Sequence, residues 1–107
     1  LRRERVSVLN QTPSAFYQLD AADRAAGPEA ALPDLRYVVV GGEALEPRRL
    51  ADWNARHGEH PPRLINMSGI TETTVHVTFR ALDAAAFGGA RPRGIGRALP
   101  GLRILLL

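Results

Sequence analysis

Three short apolar runs rich in β-branched residues, Val6 to Leu9, Leu35 to Val40 and Leu64 to Met67, mark the first two thirds of the chain. The connections between them are long enough to hold a helix and return, which predicts βαβ units and parallel strands. The β-branched richness suits strands buried on both faces of such a sheet. Both connections carry helix punctuation. In the first, Thr12 is placed to cap and Pro13 to occupy the first helical position, with Phe16 and Leu19 on one face. In the second, Pro47 opens the helix, Leu50 and Trp53 make an apolar stripe, and Gly58 stops it. Both helices are expected to pack on the sheet. The stretch Ala21 to Pro33, rich in alanine and carrying Gly27, Pro28 and Pro33, reads either as a short second helical piece or as an ordered loop. Val75 to Ala81 alternates loosely and predicts a further strand. Residues 83–94, with Gly88-Gly89 and Pro92, predict a loop, and Leu102 to Leu107 a last strand.

The expected fold class is therefore α/β: a partial flavodoxin-like parallel sheet built from βαβ units, with extra C-terminal strands, forming one subdomain over residues 1–107. The chain opens on Leu1 and closes in an apolar run, so the expectation is an internal slice of something longer. At 45% hydrophobic and 23% charged residues its composition is that of a globular domain. A chain this size buries about 65% of its unfolded surface if it folds alone, which makes its stability marginal. The absence of cysteine excludes a disulfide framework and a thiolate metal site. No segment reads as a signal peptide or an apolar span of membrane length, so a cytoplasmic location without a membrane partner is expected. The net charge of +3 comes from arginine alone, with no lysine, and the arginines scatter from Arg2 to Arg103 apart from the cluster Arg2, Arg3 and Arg5. A nucleic-acid surface needs a basic face interleaved with aromatics, so no nucleic-acid partner is expected and the arginines read as solvated surface.

Candidate chemistry gathers behind the strands. Ligands of open parallel sheets bind beyond the carboxyl ends of the strands, and there the chain places Asn10, then Gly41-Gly42-Glu43, then Asn66-Met67-Ser68. The run Asn66 to Thr74 sets Gly69, several hydroxyls and the Glu72 carboxylate directly after the third strand. Gly69 lets a ligand approach the backbone, Thr71 offers a hydroxyl to a phosphate oxygen, and Glu72 is a hard oxygen donor of the kind Mg²⁺ takes. The plainer alternatives are a turn whose threonines start the next strand and, for Gly41-Gly42, a simple strand-to-helix turn. His57 and His60, beside Gly58 and Pro61, read as solvated loop residues.

The run Asn66-Met67-Ser68-Gly69-Ile70-Thr71-Glu72-Thr73-Thr74 resembles the Asn-x-Tyr-Gly-x-Thr-Glu-x-Thr signature of adenylate-forming enzymes, specifically the adenylation domains of nonribosomal peptide synthetases. Val8 to Ser14, Val39 to Leu45 and Gly94 to Gly101 resemble the same family in the same order. The resemblance implies attack of an amino-acid carboxylate on the α-phosphorus of ATP, which gives the aminoacyl adenylate and releases pyrophosphate, then transfer of the acyl group to the phosphopantetheine thiol of a carrier protein. It implies that Thr71 bonds the α-phosphate, that Glu72 holds Mg²⁺, that Asn66 meets the adenine amino group, and that the backbone of Gly42, Glu43 and Ala44 lines the adenine. Ser68 stands where the family usually has a tyrosine that packs on the base. Base stacking is worth about 1–3 kcal/mol, so weaker ATP binding is expected.

Six positions match the family's substrate pocket: Asn10, Val39, Gly41, Met67, Val75 and His76. Together they resemble its threonine-activating pattern. Gly41 leaves room, Val39, Met67 and Val75 offer apolar walls, and Asn10 and His76 offer hydrogen bonds to a hydroxyl. The resemblance also implies carrier-protein and condensation-domain partners in a longer parent. The phosphate loop and the lysine-bearing C-terminal domain of the family have no counterpart here, so the isolated chain is expected to be inactive. A segment of an enzyme that activates another carboxylic acid for coenzyme A, and a non-catalytic α/β interaction module, are the competing readings.

Overall fold

Val8–Gln11 (β1), Tyr37–Gly41 (β2) and Arg63–Ser68 (β3) pair in parallel, and Thr78–Ala81 (β4) and Arg97–Ala98 (β5) extend the same sheet antiparallel, in the order β1-β2-β3-β4-β5. The computed structural model describes residues 1–28, 31–57, 61–70, 76–88 and 94–105. The α/β fold, its parallel βαβ units and the added C-terminal strands are as expected. Each of the first three strands begins within two residues of its apolar run and continues onto the polar residues behind it.

One face of this sheet is covered. Leu9, Val38, Val40 and Leu64 are buried in a core with Phe16, Leu35, Leu50, Trp53 and Phe87. Two crossovers that step across a sheet in one direction, β1 to β2 to β3, place their helices on the same side. Among the described residues the opposite face is less covered than the core face, contrary to the expectation of strands buried on both sides: Val8 is 53% exposed, and Tyr37, Val39, Ile65 and Met67 are half-buried.

The helix over Pro13–Ala26 (α1) starts as the sequence predicts. Thr12 is extended, its side chain accepts from the Ala15 N–H at 3.4 Å, and Pro13 occupies the first turn. Ala21 to Ala26 continue α1, because alanine is the strongest helix former. Gly27, at φ 70°, ends it. In the second connection Pro47–Leu50 form a 3₁₀ turn that leads into Ala51–Arg56 (α2), and Leu50 and Trp53 are fully buried. Gly58 and His60 lie outside the described residues.

Two C-terminal expectations are corrected. The loop expected over 83–94 contains a short helix, Ala84–Phe87 (α3), because the Asp83 Oδ1 accepts from the Ala86 N–H at 2.9 Å and the following alanines favour the helix. Its Phe87 closes the core at 8% exposure. Among the described residues the last strand is β5, and residues 102–105 of the expected final strand form none, while Leu106 and Leu107 lie outside the described residues. Gly96, at φ 91°, brings the chain so close to β4 that a Cβ there would lie 1.9 Å from the Phe79 carbonyl oxygen. A Pro100-Gly101 turn, with the Leu102 N–H donating to the Leu99 carbonyl at 3.0 Å, then turns the apolar tail away. Leu102, Ile104 and Leu105 are exposed.

Several charges expected on the solvated surface instead knit the helices together. Asp20, only 6% exposed, accepts from Arg24 at 3.2 Å and from Arg56 in a closer contact, and Arg56 also reaches Asp23 at 3.3 Å. Burial pulls the Arg56 guanidinium down, but its hydrogen bonds to Asp20 and Asp23 and their charges outweigh this and leave it above its ordinary value. His57 is no solvated loop residue either. Its ring stacks on Trp53 at 4.0 Å between centroids, its Nδ1 lies 2.8 Å from the Trp53 carbonyl oxygen, and its Nε2 is 3.7 Å from Asp23. Trp53 in turn meets Phe16 edge-on at 4.9 Å.

Removing the buried carboxylate takes one partner from both Arg24 and Arg56 and leaves Arg56 only Asp23. Asp20→Ala is expected to lower stability by about 2 kcal/mol. Asp52→Ala, at an exposed carboxylate that also meets Arg24, is expected to cost less than about 0.5 kcal/mol. Denaturant unfolding of both variants measures the difference, and equal losses would contradict a buried role for Asp20.

Candidate functional site

Strand alternation and register decide which of the sequence candidates meet. Asn10 pairs with Val39, and Val39 with Ile65; two residues further along, Gly41 pairs with Met67, and Met67 with Phe79. Side chains alternate along a strand, so these two rows share a face, and it is the one opposite the core. Asn10, Val39, Gly41 and Met67 thus form a patch roughly 10 Å across at the carboxyl ends of the parallel strands. His76 joins it. A Cβ added to Gly41 would lie 3.0 Å from the His76 Cε1 and 2.8 Å from the Met67 carbonyl oxygen, so the imidazole fills the space that glycine leaves free. The His76 Nδ1 is buried and makes no hydrogen bond among the described residues. Val75, the sixth pocket candidate, lies outside them, as do Thr71 and Glu72.

The nucleotide candidates are arranged differently. Asn66 pairs with Val40, so it and Ser68 alternate onto the core side of β3, away from Met67. Ser68 continues the ladder: it pairs with Thr78, and its carbonyl accepts from the Val77 N–H at 2.8 Å. Gly69 is half-buried and Ile70 is 61% exposed. Past the end of β2, Gly42 turns the chain at φ 84°, a conformation that favours glycine, and Gly42, Glu43 and Ala44 are exposed.

Glu43 faces the start of α1. Its Oε2 accepts from the Ser14 N–H at 3.1 Å and its Oε1 from the Ser14 hydroxyl at 2.9 Å. The Ser14 hydroxyl and then the Ser14 N–H, helped slightly by Thr12 and opposed by burial, hold the Glu43 carboxyl below the ordinary glutamate value. Three residues on, the Glu46 N–H donates to the Tyr17 hydroxyl at 3.1 Å, and Arg49 lies 3.8 Å over the Tyr17 ring. Sequence reasoning missed Ser14 and Tyr17. The available signal was their spacing, which matches that of Glu43 and Glu46. It also missed Phe79, half-buried beside Met67 with the Arg97 guanidinium 5.4 Å over its ring.

Among the described residues no group of three or more acidic or histidine side chains could hold a metal. Mg²⁺ at a nucleotide commonly takes one or two carboxylates with phosphate oxygens, so a single glutamate such as Glu72 fits that chemistry where a dedicated cage is absent. A separate cavity of about 610 Å³, lined by Asp23, Leu35, Arg56, His57 and Pro62 among others, opens at the amino ends of β2 and β3. It is remote from all the candidates above. No described helix is long and apolar enough to cross a membrane.

The whole chain, residues 1–107, matches the family model described as AMP-binding enzyme, and the chain belongs to that family. It is 50% identical over 107 residues to a dimodular nonribosomal peptide synthase of Bacillus subtilis strain 168 and 51% identical over 107 residues to syringomycin synthase SyrB1 of Pseudomonas syringae pv. syringae. All of the chain is covered in both, but it spans 4% of the first relative and 17% of the second. Among solved structures it is similar to the nonribosomal peptide synthetase FmoA3 in its α-methyl-L-serine-AMP bound form. The TM-score there is 0.62 and the identity 26%, over 78% of this chain and 9% of that one.

Gly41→Ala would press a methyl group on the Met67 backbone and the His76 ring. We expect a loss of about 1–3 kcal/mol in stability together with a displaced His76 imidazole resonance by NMR, and an unmoved resonance would contradict the packing. Because the Glu43 carboxyl is lowered on folding, its stabilising contribution is present at pH values above the ordinary glutamate range and is lost as pH falls through the lowered value. A carboxyl titration by NMR should find the Glu43 midpoint below that of ordinary glutamates, and Ser14→Ala should move it back up.

Proposed function

We propose that this chain is the amino-acid- and ATP-binding core segment of a nonribosomal peptide synthetase adenylation domain that activates L-threonine as the aminoacyl adenylate. The observation that carries this reading is the His76 imidazole over Gly41, its Nδ1 buried and without a hydrogen-bond partner among the described residues, on the same face as Asn10, Val39 and Met67. A buried polar atom left unpaired costs about 1–3 kcal/mol, which a substrate hydroxyl recovers by bonding to it. Val39 and Met67 offer apolar walls suited to the rest of a small side chain, and Asn10 adds a second polar contact. A site built around a hydroxyl rejects an analogue that lacks one, so valine is excluded by unpaired polar groups and not by its size. The relatives are peptide synthetases, and FmoA3 holds the adenylate of another hydroxy amino acid.

In this reading ATP lies beyond the ends of β2 and β3, with its adenine along the backbone of Gly42, Glu43 and Ala44. Asn66 meets the adenine amino group, and Ser68 and Gly69 lie close to the base. Thr71 bonds the α-phosphate and Glu72 holds Mg²⁺, which when bound neutralises phosphate charge. The protein's share is to hold carboxylate and phosphorus in line, and positioning of this kind supplies most of the acceleration in such transfers. The acyl group then passes to the phosphopantetheine thiol of a carrier protein, with condensation domains downstream.

The test is amino-acid-dependent ATP–pyrophosphate exchange by the full-length protein that carries this chain. Threonine is expected to exceed valine by at least about 100-fold in kcat/KM, and His76→Ala to narrow that ratio by about 10-fold or more. A parent that prefers valine or another amino acid would end the threonine assignment. The 107-residue chain alone is expected to show no exchange, and a signal above background from it would refute that part of the proposal.

A further inference from the structure

Two hydrogen-bonded contacts, three residues apart on each partner, join the first turns of α1 to the segment after β2: Ser14 grips the Glu43 carboxylate and Tyr17 bonds the Glu46 N–H. We infer that Ser14 and Tyr17 form a two-point latch that sets the position of the Gly42–Ala44 backbone, and that they are positioning residues for ATP although neither touches it. This rests on the reading that the adenine lies along that backbone.

The geometry fits the role. Gly42 leaves β2 in the left-handed conformation, and a Cβ there would find only the Thr12 methyl at 3.9 Å, so packing does little to restrain the segment at that point. Glu43 and Ala44 are themselves exposed. What fixes them is the carboxylate of Glu43, which accepts from an N–H and a hydroxyl in the first turn of α1. Charge-assisted bonds of this kind are stronger than neutral ones and specify direction. The lowered Glu43 carboxyl means that the grip persists through neutral and mildly acid pH. At the other end Tyr17 is itself held, by the Arg49 guanidinium stacked on its ring, and Leu45 between the two tethers packs against the core. The segment is thus pinned on both sides of Ala44, and its exposed backbone is presented in one arrangement before any ligand arrives. Pre-organisation of this sort acts by removing an ordering cost from binding.

The experiment compares Ser14→Ala, Tyr17→Phe and Ser14→Thr in the full-length protein by ATP–pyrophosphate exchange, with thermal unfolding measured in parallel. Each of the first two is expected to raise KM for ATP about 2- to 10-fold, the effect of one hydrogen bond. KM for the amino acid should change less than about 2-fold by the same reasoning, since the pocket lies on the other face of the sheet. Ser14→Thr keeps the hydroxyl and should restore KM for ATP. Active variants whose KM for ATP is unchanged, even with a lowered unfolding temperature, would overturn the latch while leaving the adenylation reading intact. A parallel rise in both KM values would also overturn it. No exchange from the unaltered protein with any amino acid would instead bring down the adenylation reading, and the latch as an ATP-positioning device with it.

Discussion

The register between β2 and β3 is the constraint on which the rest of the molecule depends. Gly41 opposite Met67 puts Val38, Val40 and Leu64 on the side of the helices and Val39, Gly41 and Met67 on the other. A slip of one residue would turn Val39 into the core and expose Val40, and every site candidate on those strands would change face with them. The core and the candidate pocket are therefore two consequences of one alignment, and burial of the apolar set holds the polar set in place.

The two faces of the sheet divide the work. On the core side Phe16 meets Trp53 edge-on, His57 stacks on Trp53, and Asp20 ties α1 to α2 through Arg56, so the two helices are locked to each other over the sheet. The carboxyl ends carry glycine, where close approach is needed, and polar groups left short of partners. Among the described residues the buried His76 Nδ1 finds no partner, and an unpaired group of this kind is tolerated where a ligand satisfies it. The core and the candidate pocket lie on opposite faces of the sheet, and the Glu43–Ser14 and Glu46–Tyr17 contacts fasten the segment after β2 to a helix the core already holds.

Local signals were readable wherever one residue type has one use. Thr12 and Pro13 mark the start of α1, the β-branched runs mark β1 to β3, and strand direction alone gathers Asn10, Gly41 and Asn66 at one end. Signals failed where neighbours in space decide. Asp83 followed by alanines is a helix start, but Gly88-Gly89 and Pro92 nearby read more strongly as loop. Leu102 to Leu105 has the composition of a strand, yet after the turn at Pro100-Gly101 it joins no strand of the sheet. His57 beside a glycine reads as solvated, although its four-residue spacing from Trp53 on α2 already allows the two rings to stack; the fold adds Asp23 at its Nε2.

The amino-acid sequence by itself determined the first three strands, the two helices between them, their parallel order and the end of the sheet where candidate chemistry collects, because capping, strand propensity and chain direction are local properties. Tertiary structure alone decided which candidates share a face, that Gly41 makes room for His76, and that the Glu43 side chain is committed to Ser14. Each of these depends on register and on contacts between residues far apart in the chain, for Glu43 and Ser14 a separation of 29 positions. No local pattern encodes them, since they exist only once the buried face has aligned the strands.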